Sequence, residues 1–140
     1  MLYQQIGLHL KFVNLLNFDL KKLSEAIDPE RDKKFKYLGL QILIDRYFIR
    51  VDNKVLETPQ AFWMRVAMGL ALNEDEKEKR AIEFYNLFSN LLYTPSTPTL
   101  FNSGTTHSQL SSCYLNTFDD SIDGIFEGVW QEARKSKNCI

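Results

Sequence analysis

Apolar residues recur at Ile122, Ile125, Phe126, Val129, Trp130 and Ala133, the i, i+3, i+4, i+7 rhythm of one helix face, and polar residues fill the positions between them. The pattern predicts an amphipathic helix from Ile122 onward. Asp119, Asp120 and Ser121 are its candidate caps, and Arg134, Lys135 and Lys137 form a basic, solvated end that suits the helix dipole. Earlier segments are read the same way. Asp19 caps a short helix that carries Leu20, Leu23 and Ile27 on one face, and Asp28-Pro29-Glu30 breaks it. Arg31 to Tyr47 reads as one helix. Phe35, Leu38, Ile42 and Leu43 form its stripe, and Leu40, Ile44 and Tyr47 widen it, so burial by neighbours is expected.

Phe48 to Val51 is rich in β-formers, Asp52-Asn53 signals a turn, and Val55-Leu56 follows, which predicts a hairpin or an extended crossing. Thr58-Pro59 opens a helix with Phe62, Val66 and Leu70 on its buried face. Asn73 and Glu76 have capping-box spacing, and Glu74, Asp75 and Glu76 sit at the positive end of the next helix. Ile82, Tyr85, Phe88, Leu91 and Leu92 stripe that helix, and Thr94-Pro95 ends it. Met1 to Phe18 has no clean period and is expected to be a helical lead-in. No internal repeat appears.

Between the helices lies a different kind of sequence. Thr94-Pro-Ser-Thr-Pro-Thr-Leu-Phe-Asn-Ser-Gly104 gathers hydroxyls around two prolines and a glycine. Backbone held in this way suits gripping a polar, phosphorylated ligand. Ser111-Ser112-Cys113-Tyr114-Leu115 reads as a short, largely buried strand that carries one thiol to the edge of that grip.

Composition narrows the field. Hydrophobic residues make up 44% of the 140 positions, enough for a core, and the net charge of −1 gives no field to recruit nucleic acid or an acidic membrane. The two cysteines, Cys113 and Cys139, are too few for a disulfide scaffold and indicate a reducing compartment; a cytoplasmic location is expected. No apolar run is long enough to span a membrane, and no signal-peptide pattern is present.

Each candidate has an ordinary reading beside the chemical one. Cys113 is either a small buried hydrophobe or a redox or nucleophilic thiol, and no CxxC partner lies near it. Thr97, Thr99, Ser103, Ser111 and Ser112 either make local turn bonds or hold a ligand. Asp119 and Asp120 either cap a helix or hold a ligand hydroxyl. His9 and His107 lack metal-ligand spacing and are expected to face solvent or to be structural; no metal site is expected.

Taken together, Pro98-Thr99 through Ser103-Gly104, Ser111-Ser112-Cys113 and Asp120-Ser121-Ile122-Asp123 follow one family in order. The segments Phe35-Lys-Tyr-Leu-Gly-Leu-Gln41, Asp45-Arg-Tyr-Phe48 and Glu57-Thr-Pro-Gln60 look like it too. The chain resembles the large (α) subunit of ribonucleotide reductase, aerobic class I type, over roughly residues 20 to 138. The glycyl-radical reductases, which share its barrel, are a weaker match.

The resemblance implies that ribonucleotides are reduced to deoxyribonucleotides for DNA synthesis by thiyl-radical chemistry. It implies that Cys113 is one of two reducing thiols, its partner lying elsewhere in the family's chain. Thr99 and Ser112, with Cys113, would line the substrate. Asp120, Ser121 and Ile122 would contact a deoxynucleoside triphosphate or ATP effector. The helix over 122–133 would pack against a second large subunit. The expected partners are thus a ribonucleoside diphosphate, the remainder of the large subunit, a second copy and a separate metal-containing small subunit that supplies the radical. No cofactor is expected to sit on this chain itself, and no membrane or nucleic acid is expected as a partner.

The implied fold is mostly α. A helical region over 1–93 leads into the first strand and helix of a ten-stranded α/β barrel over 94–138, and 139–140 depart from the family pattern. An interruption after Asn138 by an intein insertion, a split gene or a truncation is expected, as is an absent or shortened ATP-binding regulatory domain. The stretch alone is then expected to be marginally stable and inactive. The competing class is a non-enzymatic helical interaction module that uses the Ile122 to Ala133 face.

Overall fold

Pro59 occupies the first position of a helix whose N–H groups there have no partner to lose, and the Thr58 hydroxyl accepts from the Ala61 N–H at 3.4 Å. This helix is the centre of the computed structural model, which describes Leu15 and residues 17–138. Apart from Leu15, Asn17 and Phe18, the expected lead-in helix lies outside the described residues, as do His9, Cys139 and Ile140.

In chain order the elements are α1 (Leu20–Glu25), a 3₁₀ helix (Pro29–Lys34), α2 (Tyr37–Ile42), a π turn (Leu43–Tyr47), β1 (Arg50–Val51), β2 (Lys54–Val55), α3 (Pro59–Leu70), α4 (Lys77–Ser89), α5 (Thr97–Asn102) and α6 (Ile122–Asn138). The architecture is mostly helical. Among the described residues no helix is long and apolar enough to cross a membrane.

Every residue of α3 from Gln60 to Met68 is buried. Phe62, Trp63, Val66, Ala67 and Met68 meet Leu23, Leu43, Phe48, Ala81, Tyr85, Phe88 and Leu100 in one core. Each large apolar side chain removed from water there contributes about 1.5–3 kcal/mol. A polar chain, buried at its Tyr85–Gln60 link, ties the helices around it. Asp28 N–H donates to Tyr85 Oη (3.0 Å), Tyr85 Oη donates to Gln60 Oε1 (2.8 Å), and Gln60 Nε2 donates to Asp32 Oδ1 (2.7 Å).

Several local expectations hold. Asp19 Oδ1 accepts from the Lys21 and Lys22 N–H groups at 3.1 Å and caps α1. Asp52 and Asn53 have φ of 49° and 61°, the two positive values a tight two-residue hairpin turn needs, and Arg50 pairs with Val55.

Others are corrected. The single helix expected over Arg31 to Tyr47 is three pieces, separated first by extended backbone at Phe35. Arg31 donates to Asn86 Oδ1 and Ser89 Oγ, and Asp32 holds Gln60, so the 3₁₀ helix is tied to α3 and α4 and the chain must turn before α2 starts. Leu38 (68% exposed) and Ile42 (43%), two residues of the expected stripe, face outward instead of being buried, as does Tyr37 at the start of α2.

Asn73 does not cap α4. The turn after α3 consumes it, and Glu76 takes the cap position without a side-chain bond. Lys79 hydrogen-bonds Glu76 and holds that exposed carboxyl below its usual value.

Helix α4 ends at Ser89, before Thr94-Pro95, in a left-handed turn. The Leu92 N–H reaches Leu87 O at 3.0 Å while Leu91 sits at φ 60°. Leu91 is half-exposed and gains little from its side chain there. Leu91→Gly should therefore raise stability by about 0.5–1 kcal/mol, the αL strain relieved less the extra chain entropy of glycine. A thermal melt with an unchanged or lower midpoint would contradict this.

Residues 111–119 have no regular secondary structure, and 111–115 are exposed, so the expected buried strand at Ser111–Leu115 is not formed. A strand needs a neighbour for its backbone ladder, and the two-stranded hairpin is the one sheet among the described residues. The expected α6 is present, and its apolar residues are exposed, from Trp130 at 53% to Ile122 at 74%.

Candidate functional site

Part of the hydroxyl-rich segment, Thr97–Asn102, is the short helix α5. Pro98 lies in its first turn, and the Leu100 N–H closes onto Ser96 O at 3.0 Å. Its C-terminal end is pressed against α3. Gly104, at φ 75°, packs on the backbone of Arg65, and Ser103 Oγ donates to Val66 O at 2.7 Å. Arg65 Nη1 donates to Ser103 O at 2.6 Å. The sequence thus folds a Pro-started, Gly-ended helical turn onto the most buried part of the molecule.

After Gly104 the chain doubles back along α5. Asn102 Nδ2 donates to Gln109 O (2.7 Å), Thr99 Oγ1 donates to Leu110 O (3.2 Å), and Thr105 Oγ1 donates to Asn102 O (2.8 Å). Between α5 and this returning strand of chain lies a cavity of about 590 Å³, lined by Thr97, Pro98, Phe101, Asn102, His107 and Ser112. Its wall mixes an aromatic face with two hydroxyls, an amide and an imidazole, a set suited to a ring-bearing polar ligand.

Ser112 also borders a second cavity of about 420 Å³, which Cys113, Tyr114, Leu115, Glu132, Lys135 and Ser136 line. Cys113 is a free, exposed thiol, with its sulfur 3.9 Å from Ser112 Oγ. The reading as a small buried hydrophobe is therefore set aside. The sulfur is open to solvent, which thiol–disulfide exchange would require. Tyr114 Oη donates to Ser111 O at 2.8 Å, and Lys135 Nζ lies 5.7 Å over the Tyr114 ring, which links the thiol segment to α6.

The other predicted residues are distributed unevenly. Thr99 is buried and its hydroxyl is spent on Leu110 O, so it ties the returning chain to α5 while Thr97 presents a hydroxyl to the cavity. Ser103 is likewise buried and structural. Ser121 Oγ accepts from the Gly124 N–H at 3.0 Å and caps α6; Asp120 and Ile122 are exposed beside it. Phe101 and Asn102 were not singled out in the sequence. His107 was expected to be solvent-facing or structural, and it is exposed on the cavity wall. The signal available for Phe101 and Asn102 was their position inside the hydroxyl-rich stretch; His107 lies three residues beyond it.

Comparison with known proteins adds the following. The family model described as ribonucleotide reductase, all-alpha domain, matches residues 33–108, more than half of the chain. A ribonucleoside-diphosphate reductase subunit alpha from Chlamydia trachomatis is 58% identical over 120 residues, which is 86% of this chain and 12% of that relative. The corresponding subunit of Helicobacter pylori is 46% identical over 121 residues, covering 86% of this chain and 15% of the relative. A ribonucleoside-diphosphate reductase large subunit from Plasmodium falciparum is 44% identical over 119 residues, covering 84% and 14%. The chain therefore spans 12–17% of the length of the curated relatives it matches. With its core helices inside the matched region, the chain belongs to the ribonucleotide reductase large-subunit family.

Proposed function

We propose that the chain is a portion of a ribonucleoside-diphosphate reductase large subunit and that Thr97 to Cys113 form part of its substrate site. The observation that carries this is the exposed Cys113 thiol beside Ser112, whose residue lines the cavity against α5. In the reaction the ribose 2′ hydroxyl leaves as water, hydrogen takes its place, and two thiols become a disulfide. Cys113 supplies one thiol. The other, and the thiyl radical that lifts the 3′ hydrogen, come from the rest of the subunit.

The hydroxyls of Thr97 and Ser112 donate to the diphosphate or ribose oxygens, and Phe101 offers an apolar wall. Thr99 serves this site by holding the returning chain. At the head of α6, Asp120, Ser121 and Ile122 meet a deoxynucleoside triphosphate or ATP effector. The exposed apolar face of α6 is covered by a second large subunit, since a stripe of that size left in water needs a partner. The Ser111–Leu115 segment becomes the first barrel strand once neighbouring strands are supplied. A separate metal-containing small subunit delivers the radical, and the assembly works in the cytoplasm.

The test is Cys113→Ser in the complete large subunit together with its radical-generating partner. Turnover of ribonucleoside diphosphates should fall to background while substrate still binds, because the serine hydroxyl cannot give up electrons to form a disulfide. Retained turnover would remove this reading. It would take this stretch out of the chemistry and leave it as a non-enzymatic interaction module within the subunit, a role that the exposed α6 face favours.

A further inference from the structure

We propose that Tyr47 is a positioning residue for Thr97, turning the Thr97 hydroxyl so that its proton points into the cavity toward an anionic oxygen of a nucleoside diphosphate. The inference rests on the reading of the cavity as the substrate site. Tyr47 Oη lies 3.2 Å from Thr97 Oγ1, across 50 residues of sequence. Its ring centroid is 4.8 Å from that of Phe101, with the planes tilted by 40°. Thr97 and Phe101 both line the cavity, and Tyr47, outside that lining, contacts both of them.

Local structure explains how it gets there. Tyr47 is the last residue of the π turn, whose Phe48 N–H reaches back to Leu43 O at 3.0 Å. The extra residue in that turn changes the direction in which the Tyr47 ring leaves the backbone. Such turns are rare and concentrate at functional positions.

The hydrogen-bond direction follows from acidity. A phenol is a stronger donor than an aliphatic alcohol. When Tyr47 donates, Thr97 Oγ1 accepts, and the threonine proton is left free for a ligand. An accepted bond also polarises that hydroxyl and makes it a better donor.

Tyr47→Phe keeps the ring against Phe101 and removes only the hydroxyl. In the complete large subunit with its radical-generating partner, this variant should raise KM for a ribonucleoside diphosphate by about 2–10-fold, the range for one neutral hydrogen bond, with kcat changed less than about twofold. Thr97→Val should also raise KM. In the Thr97→Val background, Tyr47→Phe should add nothing, because the hydroxyl it orients is gone. A purely structural role for Tyr47 would give the same increment in both backgrounds. An unchanged KM in Tyr47→Phe, or an increment that survives Thr97→Val, overturns the positioning role and leaves the substrate site standing. An unchanged KM in Thr97→Val overturns the substrate reading of the cavity and this proposal with it.

Discussion

Arg65→Met is expected to destabilise the protein by about 3–5 kcal/mol, the usual result of removing one partner from a buried ion pair. Arg65 is 2% exposed. Its Nε donates to Glu57 Oε1 at 2.6 Å and its Nη2 to Glu57 Oε2 at 3.3 Å, a two-pronged contact. Nη1 holds Ser103 O, and both terminal nitrogens reach Leu100 O at 3.4–3.5 Å. Glu57 also accepts the Ile49 N–H at 2.8 Å, so the pair joins the hairpin, α3 and the end of α5. Without the guanidinium, Glu57 keeps a buried carboxylate with one donor, and two carbonyls lose theirs. Total stability for a domain is about 5–15 kcal/mol, so the loss is a large share of it. Adding Glu57→Gln should restore part of the loss, because the remaining partner is then uncharged. Urea unfolding followed by far-ultraviolet circular dichroism measures both. A single variant within about 1 kcal/mol of the parent would mean that the pair does not carry the junction.

Gly69→Ala should also be damaging, costing about 2 kcal/mol or more. A Cβ there would lie 2.1 Å from Gly104 N and 2.3 Å from Ser103 Oγ, and backbone atoms cannot step aside as a flexible side chain can. The overpacking outweighs the gain of about 1 kcal/mol that alanine normally brings to a helix interior. Gly39, in α2, has nothing within 4 Å of its Cβ position, so Gly39→Ala should show that helix gain undiluted. Thermal melts of the two variants should therefore move in opposite directions. A shift of the same sign in both would refute the close crossing of α3 and the Ser103-Gly104 turn.

These two positions mark what the sequence could and could not tell. Local signals were readable: Thr58-Pro59, the Asp19 cap, the Asp52-Asn53 turn and the face of α6 all act within a few residues. Long-range ties were not. The break at Phe35 follows from Arg31 and Asp32 reaching residues far along the chain, and the failed cap at Asn73 follows from how the preceding turn ends. The Ser111–Leu115 pattern reads as a strand because its residues suit one, but a ladder is a property of two segments.

The candidate site divides in the same way. The hydroxyl stretch and Cys113 announced themselves by composition. Which threonine meets the cavity depends on the helical phase of α5, and Thr97, not Thr99, points that way. The link from Tyr47 to Thr97 spans a hairpin and two helices and leaves no trace in spacing.

The enclosure of α3 on every side from Gln60 to Met68 has a consequence for how this chain can drift. An ordinary surface helix keeps one flank where replacements are silent. This one has none, so a randomised library across those nine positions should return almost no survivors, while the outward side of α2 accepts most of what it is given.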